Sequence, residues 1–268
     1  MALIKTDAIV LRRRHYSESS LVVTLFGRDR GRLDALAKGC RREKSPLFGH
    51  LDLYQREEAL ILERPQAGLD ILLEASFLDE HAGLRFSPPA FAAAGLLSEL
   101  AAEAVFPGDP QPGLYDTLAG ALCLLADLGG AEFRIGLAAG GGFSRPEREA
   151  LIGRTVKLAL LDMLAWLGFG LELCRCVGCG RRPGSEEKVW LSRARGGLVC
   201  RSCRDGGGRP PVGGLALSAL RDRGEGSEKL EMALPAAERR RWLKFLIEYA
   251  QQVLEKPLRS ADVLFQTW

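Results

Sequence analysis

The run Leu21-Val22-Val23-Thr24-Leu25-Phe26 alternates in strand fashion, with Leu21, Val23 and Leu25 on one side of an extended chain and Val22, Thr24 and Phe26 on the other. Gly27-Arg28-Asp29-Arg30-Gly31 supplies the turn that follows it. Comparable short runs flank this one at Asp7–Leu11, Arg32–Ala37, Ala59–Leu62 and Leu69–Phe77, separated by Gly, Ser, Pro and charged clusters. Five such runs within the first eighty residues predict a small closed or partly closed barrel.

Beyond Pro88 and Pro89 the apolar period changes from two to that of a helix, in Leu96, Leu97, Leu100 and Ala104, then Leu114, Leu118, Leu122 and Leu125, then Val156, Leu160, Met163 and Leu167. A later helical face carries Trp242, Phe245, Leu246, Tyr249 and Val253. The domain boundary is therefore expected near residue 80, with domains at 1–80 and 81–268. Gly140–Gly142 and Gly206–Gly214 read as loops.

Cys176-Val-Gly-Cys179-Gly180 and Cys200-Arg-Ser-Cys203 form two Cys-x-x-Cys pairs, a spacing that lets two tight knuckles meet on one tetrahedral ion. Val189-Trp190-Leu191 and Leu198-Val199, around Gly196-Gly197, read as the hairpin that returns the second pair to the first. A zinc-ribbon-like element at 174–206 holding one structural Zn2+ is expected, because four thiolates leave no open position for catalysis. Cys174 is either a competitor of Cys176 or a reactive neighbour, whereas Cys40 and Cys123 read as small hydrophobes.

Seven cysteines, an odd number clustered late in the chain, suit metal binding in a reducing compartment better than a disulfide framework, so a cytoplasmic, nucleoid-associated protein is expected. The N-terminal residues show no cleavage pattern, and charged residues interrupt each long apolar stretch, so neither a signal peptide nor a membrane association is expected.

Net charge is +3, but residues 1–50 hold eleven Lys/Arg against five Asp/Glu, which points to an anionic partner at that end. Arg28, Arg30 and Arg32 around the Gly31 turn, with Lys38, Arg41, Arg42 and Lys44 after the third strand, are the candidate nucleic-acid contacts on one barrel edge. Tyr16, Phe26, Phe48, Tyr54 and Phe77 are the domain's aromatics, some of them needed for the core, so binding is expected to be mainly electrostatic.

A catalytic reading finds little support. Gly140-Gly141-Gly142 runs into Phe143-Ser144-Arg145 with no Gly-Lys-Ser/Thr after it, which argues against a P-loop ATPase. Asp79-Glu80-His81 stands where a helix start needs acidic residues, and His15 with Ser17, Ser19 and Ser20 reads as turn chemistry. No enzyme activity and no small-molecule substrate are expected. The competing reading is a zinc-ribbon accessory protein of transcription or translation that binds duplex DNA or RNA, and a zinc-containing nuclease is a third.

Tyr16-x-Glu18, Gly31, Lys38-Gly39-x-Arg41-Arg42-x-Lys44-Ser45, Leu167-Gly168-Phe169, the four cysteines and Lys256-Pro257-Leu258-Arg259-Ser260 together resemble the bacterial recombination mediator family RecO, in order along the whole chain. The resemblance implies an α+β multidomain protein: an N-terminal five-stranded OB-fold β-barrel followed by an α-helical domain with an inserted zinc-ribbon-like four-cysteine element. It implies binding to single-stranded and some duplex DNA, and annealing of complementary strands. With RecR as partner, it further implies loading of RecA onto DNA coated by single-stranded DNA-binding protein, whose acidic C-terminal tail would sit in an apolar groove of the helical domain. The family's DNA-contacting segment falls on Lys38, Arg41, Arg42 and Lys44.

Overall fold

In the computed structural model the described residues are 2–64, 68–135, 143–184, 187–204, 211–224 and 226–267. The Gly140–Gly142 tract and residues 206–210 of the second glycine loop lie outside them. The elements run β1 (Leu3–His15), β2 (Leu21–Gly27), β3 (Gly31–Ala37), β4 (Arg56–Leu62), β5 (Asp70–Asp79), α1 (Pro88–Ala104), α2 (Pro112–Ile135), α3 (Arg145–Trp166), β6 (Trp190–Ser192), β7 (Gly197–Val199), α4 (Gly214–Arg221), α5 (Glu228–Ala233), α6 (Ala236–Leu254) and α7 (Ser260–Gln266). They fall into two compact units, Met1–Gly140 with Leu258–Trp268, and Gly141–Pro257.

In the first unit β1 is long enough to pair twice, with β4 over Leu3–Ile9 and with β2 over Ala8–His15, and a register shift between Val10 and Arg12 turns it from one partner to the other. The strands follow the circuit β1-β2-β3-β5-β4, which closes on itself. Leu21, Val23 and Leu25 do face the interior, beside Val10, Leu33, Ala35 and Ile61. Phe26, on the opposite face of β2, is also fully buried, because Tyr115 of α2 meets its ring edge-on at 5.3 Å.

The expected fold, an OB-fold β-barrel at 1–80 followed by one helical domain, needs correction in how the sheet is paired and in what covers it. The sheet is mixed and unevenly paired: β3 and β5 meet in parallel through Ala35↔Asp70 and Leu36↔Ile71 alone, while the other four seams are antiparallel. Helices α1, α2 and α7 pack in the same compact unit as the strands. A two-pair seam and strand faces that carry Phe26 and Asp7 leave the sheet dependent on helices for burial. Period and turn residues, which gave the expectation of a small closed or partly closed barrel, cannot register that dependence.

Close approaches weld this unit together. Asp7 of β1 accepts hydrogen bonds from Arg56 of β4 and from the Tyr115 hydroxyl of α2. The 3-10 turn Ala82–Phe86 lies so close to α2 that a Cβ on Gly83 would stand 1.9 Å from the Ala126 carbonyl oxygen, and only glycine fits there. Glu99 of α1 accepts the backbone N–H groups of Arg259 and Ser260 at 3.0 and 2.7 Å, which caps α7 and brings the C-terminal segment home.

In the second unit, α3 begins where Glu147 reaches back to the N–H and hydroxyl of Ser144, at 2.8 and 2.7 Å. Its buried Val156, Leu160 and Met163 pack on α6, whose Trp242, Leu243, Phe245, Leu246, Ile247 and Tyr249 are buried. Lys157 and Glu231 meet at 2.5 Å inside this core, both essentially inaccessible to water. Burial lowers the Lys157 pKa even though Glu231 opposes it. Among the described residues, no helix is long and apolar enough to cross a membrane.

Two stability outcomes follow. Tyr115→Phe removes a hydrogen bond to a carboxylate and is expected to cost about 1.5–3 kcal/mol in urea denaturation; a loss under about 0.5 kcal/mol would show that Arg56 alone satisfies Asp7. Lys157→Met strands Glu231 and is expected to cost about 3–5 kcal/mol, with much of it recovered in Lys157→Met/Glu231→Leu. A double variant no more stable than the single one would refute the pairing account.

Candidate metal centre and nucleic-acid interface

The segment around Cys176 folds as a knuckle: Gly180 N–H donates to the Cys176 carbonyl at 2.8 Å, and Gly180 itself takes φ +73°, a conformation that favours glycine. Glu172 pairs with Gly197 of β7, Val177 N–H donates to the Leu198 carbonyl at 2.8 Å, and β6 and β7 pair as Trp190↔Val199 and Leu191↔Leu198. The knuckle is thus laid against the hairpin that the sequence predicts. Gly178 leaves the space a side chain would fill, since a Cβ there would stand 2.8 Å from that of Cys203.

The result brings Cys176, Cys179, Cys200 and Cys203 together, with all four sulfurs within 4.8 Å of one another and Cys179 and Cys200 at 3.9 Å. Tetrahedral coordination at a metal–sulfur length of about 2.3 Å sets sulfurs about 3.8 Å apart, so the set fits a metal ion of that kind. Its proton chemistry agrees. Hydrogen bonds with Cys200, Cys179 and Cys176 push the Cys203 thiol up to about 12, whereas the Cys176 thiol, though burial opposes its ionisation, is lowered by amide donors from Cys200, Gly178 and Cys179. Four thiolates this close are tolerable only around a cation. Cys174 is exposed and lies outside the four-sulfur set, and Cys40 is buried as a small hydrophobe should be, whereas Cys123 is exposed.

The seven predicted nucleic-acid contacts separate into two groups at opposite ends of β3, roughly 20 Å apart at the rise of a strand. Arg28 and Arg30 lie in the β2–β3 turn and Arg32 at the start of β3, where Arg28 forks onto Asp116 at 2.8 and 2.9 Å and Arg32 pairs with Asp34 at 3.0 Å. Lys38, Arg41, Arg42 and Lys44 are exposed at the other end. Gly39 there serves the turn, with φ +66°, rather than a close approach, because a Cβ would meet nothing nearer than 3.6 Å. Arg41 N–H donates to the Ser19 carbonyl and Gly39 N–H to the Ser20 hydroxyl, at 3.2 and 3.0 Å, which ties the segment to the β1–β2 turn.

This second group borders a cavity of about 380 Å³ lined by Arg13, His15, Arg41, Phe48, His50 and Asp52, among others. The Arg41 guanidinium lies 3.2 Å from His15 Nε2, and Arg13 pairs with Asp52. His50 stacks on Phe77 at 4.1 Å and bonds to Glu57, a wholly buried carboxyl whose pKa burial raises although His50 lowers it. Tyr16 and Phe48 are 63% and 51% exposed, whereas Phe26 and Tyr54 are core residues. Arg13, His15 and His50 escaped prediction as site residues; the Arg12-Arg13-Arg14 run signalled charge, but not that Arg13 lines a cavity with Arg41.

Metal loading has a proton signature. Binding to the metal-free chain at neutral pH is expected to release at least one proton, from Cys203, and metal affinity should fall as pH falls. Calorimetry in buffers of different ionisation enthalpy measures this, and buffer-independent heats would exclude the thiol site.

Comparison with known proteins gives two family matches, to "Recombination protein O N terminal" over residues 1–81 and to "Recombination protein O C terminal" over residues 155–262. A DNA repair protein RecO of Desulfitobacterium hafniense is 30% identical over 97% of this chain and 88% of its own length. That of Desulforudis audaxviator is 33% identical over 76% and 72% respectively, and that of Bifidobacterium animalis subsp. lactis 27% identical over 98% and 100%. Similarity at this level, spanning the sheet, the cysteine element and the C-terminal helices, means that the chain belongs to the recombination protein O family.

Proposed function

We propose that the protein is a non-catalytic mediator of DNA repair and recombination that binds single-stranded DNA at the Lys38–Lys44 end of the sheet. The observation that carries this reading is the cavity where Arg13, His15 and Arg41 converge beside exposed Phe48, with Tyr16 next along the chain. Arginine forks bind phosphate, and exposed rings offer faces to unstacked bases, the combination that single strands need and duplexes do not. The contribution of stacking is therefore larger than composition alone implied. Arg28 and Arg32, already held by Asp116 and Asp34, contribute less than Arg41 and Arg42.

The fuller role is strand annealing and, with RecR, delivery of RecA to single strands coated by single-stranded DNA-binding protein. A groove of about 680 Å³ lined by apolar Pro211, Val212, Pro235 and Ala237, with Lys188 beside Glu187 and Arg241 paired with Glu238 at 3.3 Å, is the candidate seat for that protein's acidic, apolar tail, Lys188 being its cation without a carboxylate partner among the described residues. The ion in the cysteine site is zinc, held structurally because all four positions are filled by protein. A reducing cytoplasm suits four such thiolates.

Fluorescence anisotropy on matched single-stranded and duplex oligonucleotides across a salt series tests the reading. Arg41→Glu/Arg42→Glu is expected to weaken single-strand binding and flatten its salt dependence by about 0.7 in log–log slope for each phosphate no longer neutralised. Unchanged affinity and slope, or tight binding of duplex alone, would remove the Lys38–Lys44 end from the site.

A further inference from the structure

The cysteine element concentrates positive charge a second time. Residues 172–204 hold eight Lys/Arg against three Asp/Glu, a formal +5, and residues 1–50 hold +6, so the other 185 residues together carry −8. Four thiolates around a divalent ion would add −2, which still leaves the element at +3. Two segments distant in sequence supply these cations, one containing Arg175, Arg181 and Arg182 and the other Arg193, Arg195, Arg201 and Arg204. The convergence of the sulfurs that they flank gathers them into one small element.

Some of this charge is spent inside the fold. Arg181 pairs with Glu187 and Arg193 with Glu248, each at 2.5 Å, and the Arg195 guanidinium donates to the Cys203 carbonyl at 3.3 Å. Arg175, Arg182, Arg201 and Arg204 are exposed and form no ion pair with a carboxylate among the described residues. The Arg204 guanidinium lies over the buried Trp190 ring at 4.9 Å, which holds the charge at the surface. With its one tryptophan covered in this way, the element shows a guanidinium surface without an exposed aromatic platform. That combination suits a phosphodiester backbone rather than bases.

We propose that the four-cysteine element is a second nucleic-acid-binding surface, which grips the phosphate backbone without sequence preference through Arg175, Arg182, Arg201 and Arg204. It uses none of the residues of the Lys38–Lys44 site and shares with the reading above only the class of ligand. Two polyanion sites in one chain let it hold two segments of nucleic acid at once, which raises the effective concentration of one for the other.

The test uses the full-length, zinc-loaded chain carrying Arg175→Gln/Arg182→Gln/Arg201→Gln, alone and combined with Arg41→Glu/Arg42→Glu. Zinc content and melting temperature are checked first, and anisotropy of a labelled oligothymidylate is then followed across salt. The triple variant is expected to keep its metal and to flatten the slope by about 2, at about 0.7 per phosphate engaged. The combined variant should lose the binding that remains in Arg41→Glu/Arg42→Glu. If the triple variant loses zinc, Arg182→Gln and Arg201→Gln singly, each expected to flatten the slope by about 0.7, decide the question. Unchanged slopes in both backgrounds, or a loss confined to binding of an acidic peptide, overturn the proposal. Failure of the Lys38–Lys44 site would show separately, as full binding by Arg41→Glu/Arg42→Glu.

Discussion

A single carboxylate, Asp7, holds the first unit in register. It sits on β1 and takes Arg56 from β4 and the Tyr115 hydroxyl from α2, so one part-buried charge joins two strands and a helix. An anion withdrawn from water is stable only with such donors, and its partners are held in place by the same requirement. Fixing α2 brings Tyr115 against Phe26 and sets Asp116 beside Arg28, which neutralises that end of the β2–β3 hairpin. The other end, where Lys38, Arg41, Arg42 and Lys44 are exposed and form no ion pair among the described residues, is the one left with surplus cations. Which end of the sheet keeps unpaired cations is thus partly a consequence of how the opposite end is buried.

The second unit solves a different problem. Residues 172–204 contribute few apolar side chains and could not support a core alone, and β6 and β7 are three residues each. Four sulfurs placed to share one ion would replace the missing burial, with glycine at 178, 180 and 197 where neighbouring chains come too close or turn too tightly for a side chain. Metal affinity is then folding energy for this element. The buried Lys157–Glu231 pair plays the corresponding role between α3 and α5.

The cysteine site was legible in the sequence because ligand spacing is a local constraint: the two Cys-x-x-Cys pairs and the hairpin glycines state the geometry without reference to the rest of the chain. Strand existence was similarly legible from the alternation in Leu21–Phe26. What could not be read was everything that depends on partners remote in sequence. Phe26 looked like an outward residue until Tyr115, eighty-nine positions later, covered it. The change of period near residue 80 likewise marks where helices begin, and says nothing of the packing of α1, α2 and α7 in one compact unit with the strands. Seven cations near one another in sequence also looked like one surface. Seven-residue β3 in fact holds Arg32 and Lys38 at its two ends, and acidic residues drawn from Asp34 and from α2 decide which of the cations remain available.

Surplus charge, rather than total charge, separates structural from functional arginines in both units. Around a divalent ion the four thiolates would carry a net −2, and Arg195 at the Cys203 carbonyl with Arg181 beside Cys200 stand next to the sulfurs to compensate it. Four further guanidiniums are therefore in excess of what the metal site needs. Repulsion among them disfavours the compact element, and a protein whose other residues are net acidic would gain stability by replacing them. The arrangement makes physical sense if an external polyanion completes it. By the same reasoning Arg41, whose nearest polar neighbour is His15 rather than a carboxylate, is a better candidate contact than Arg28, whose fork is already filled by Asp116.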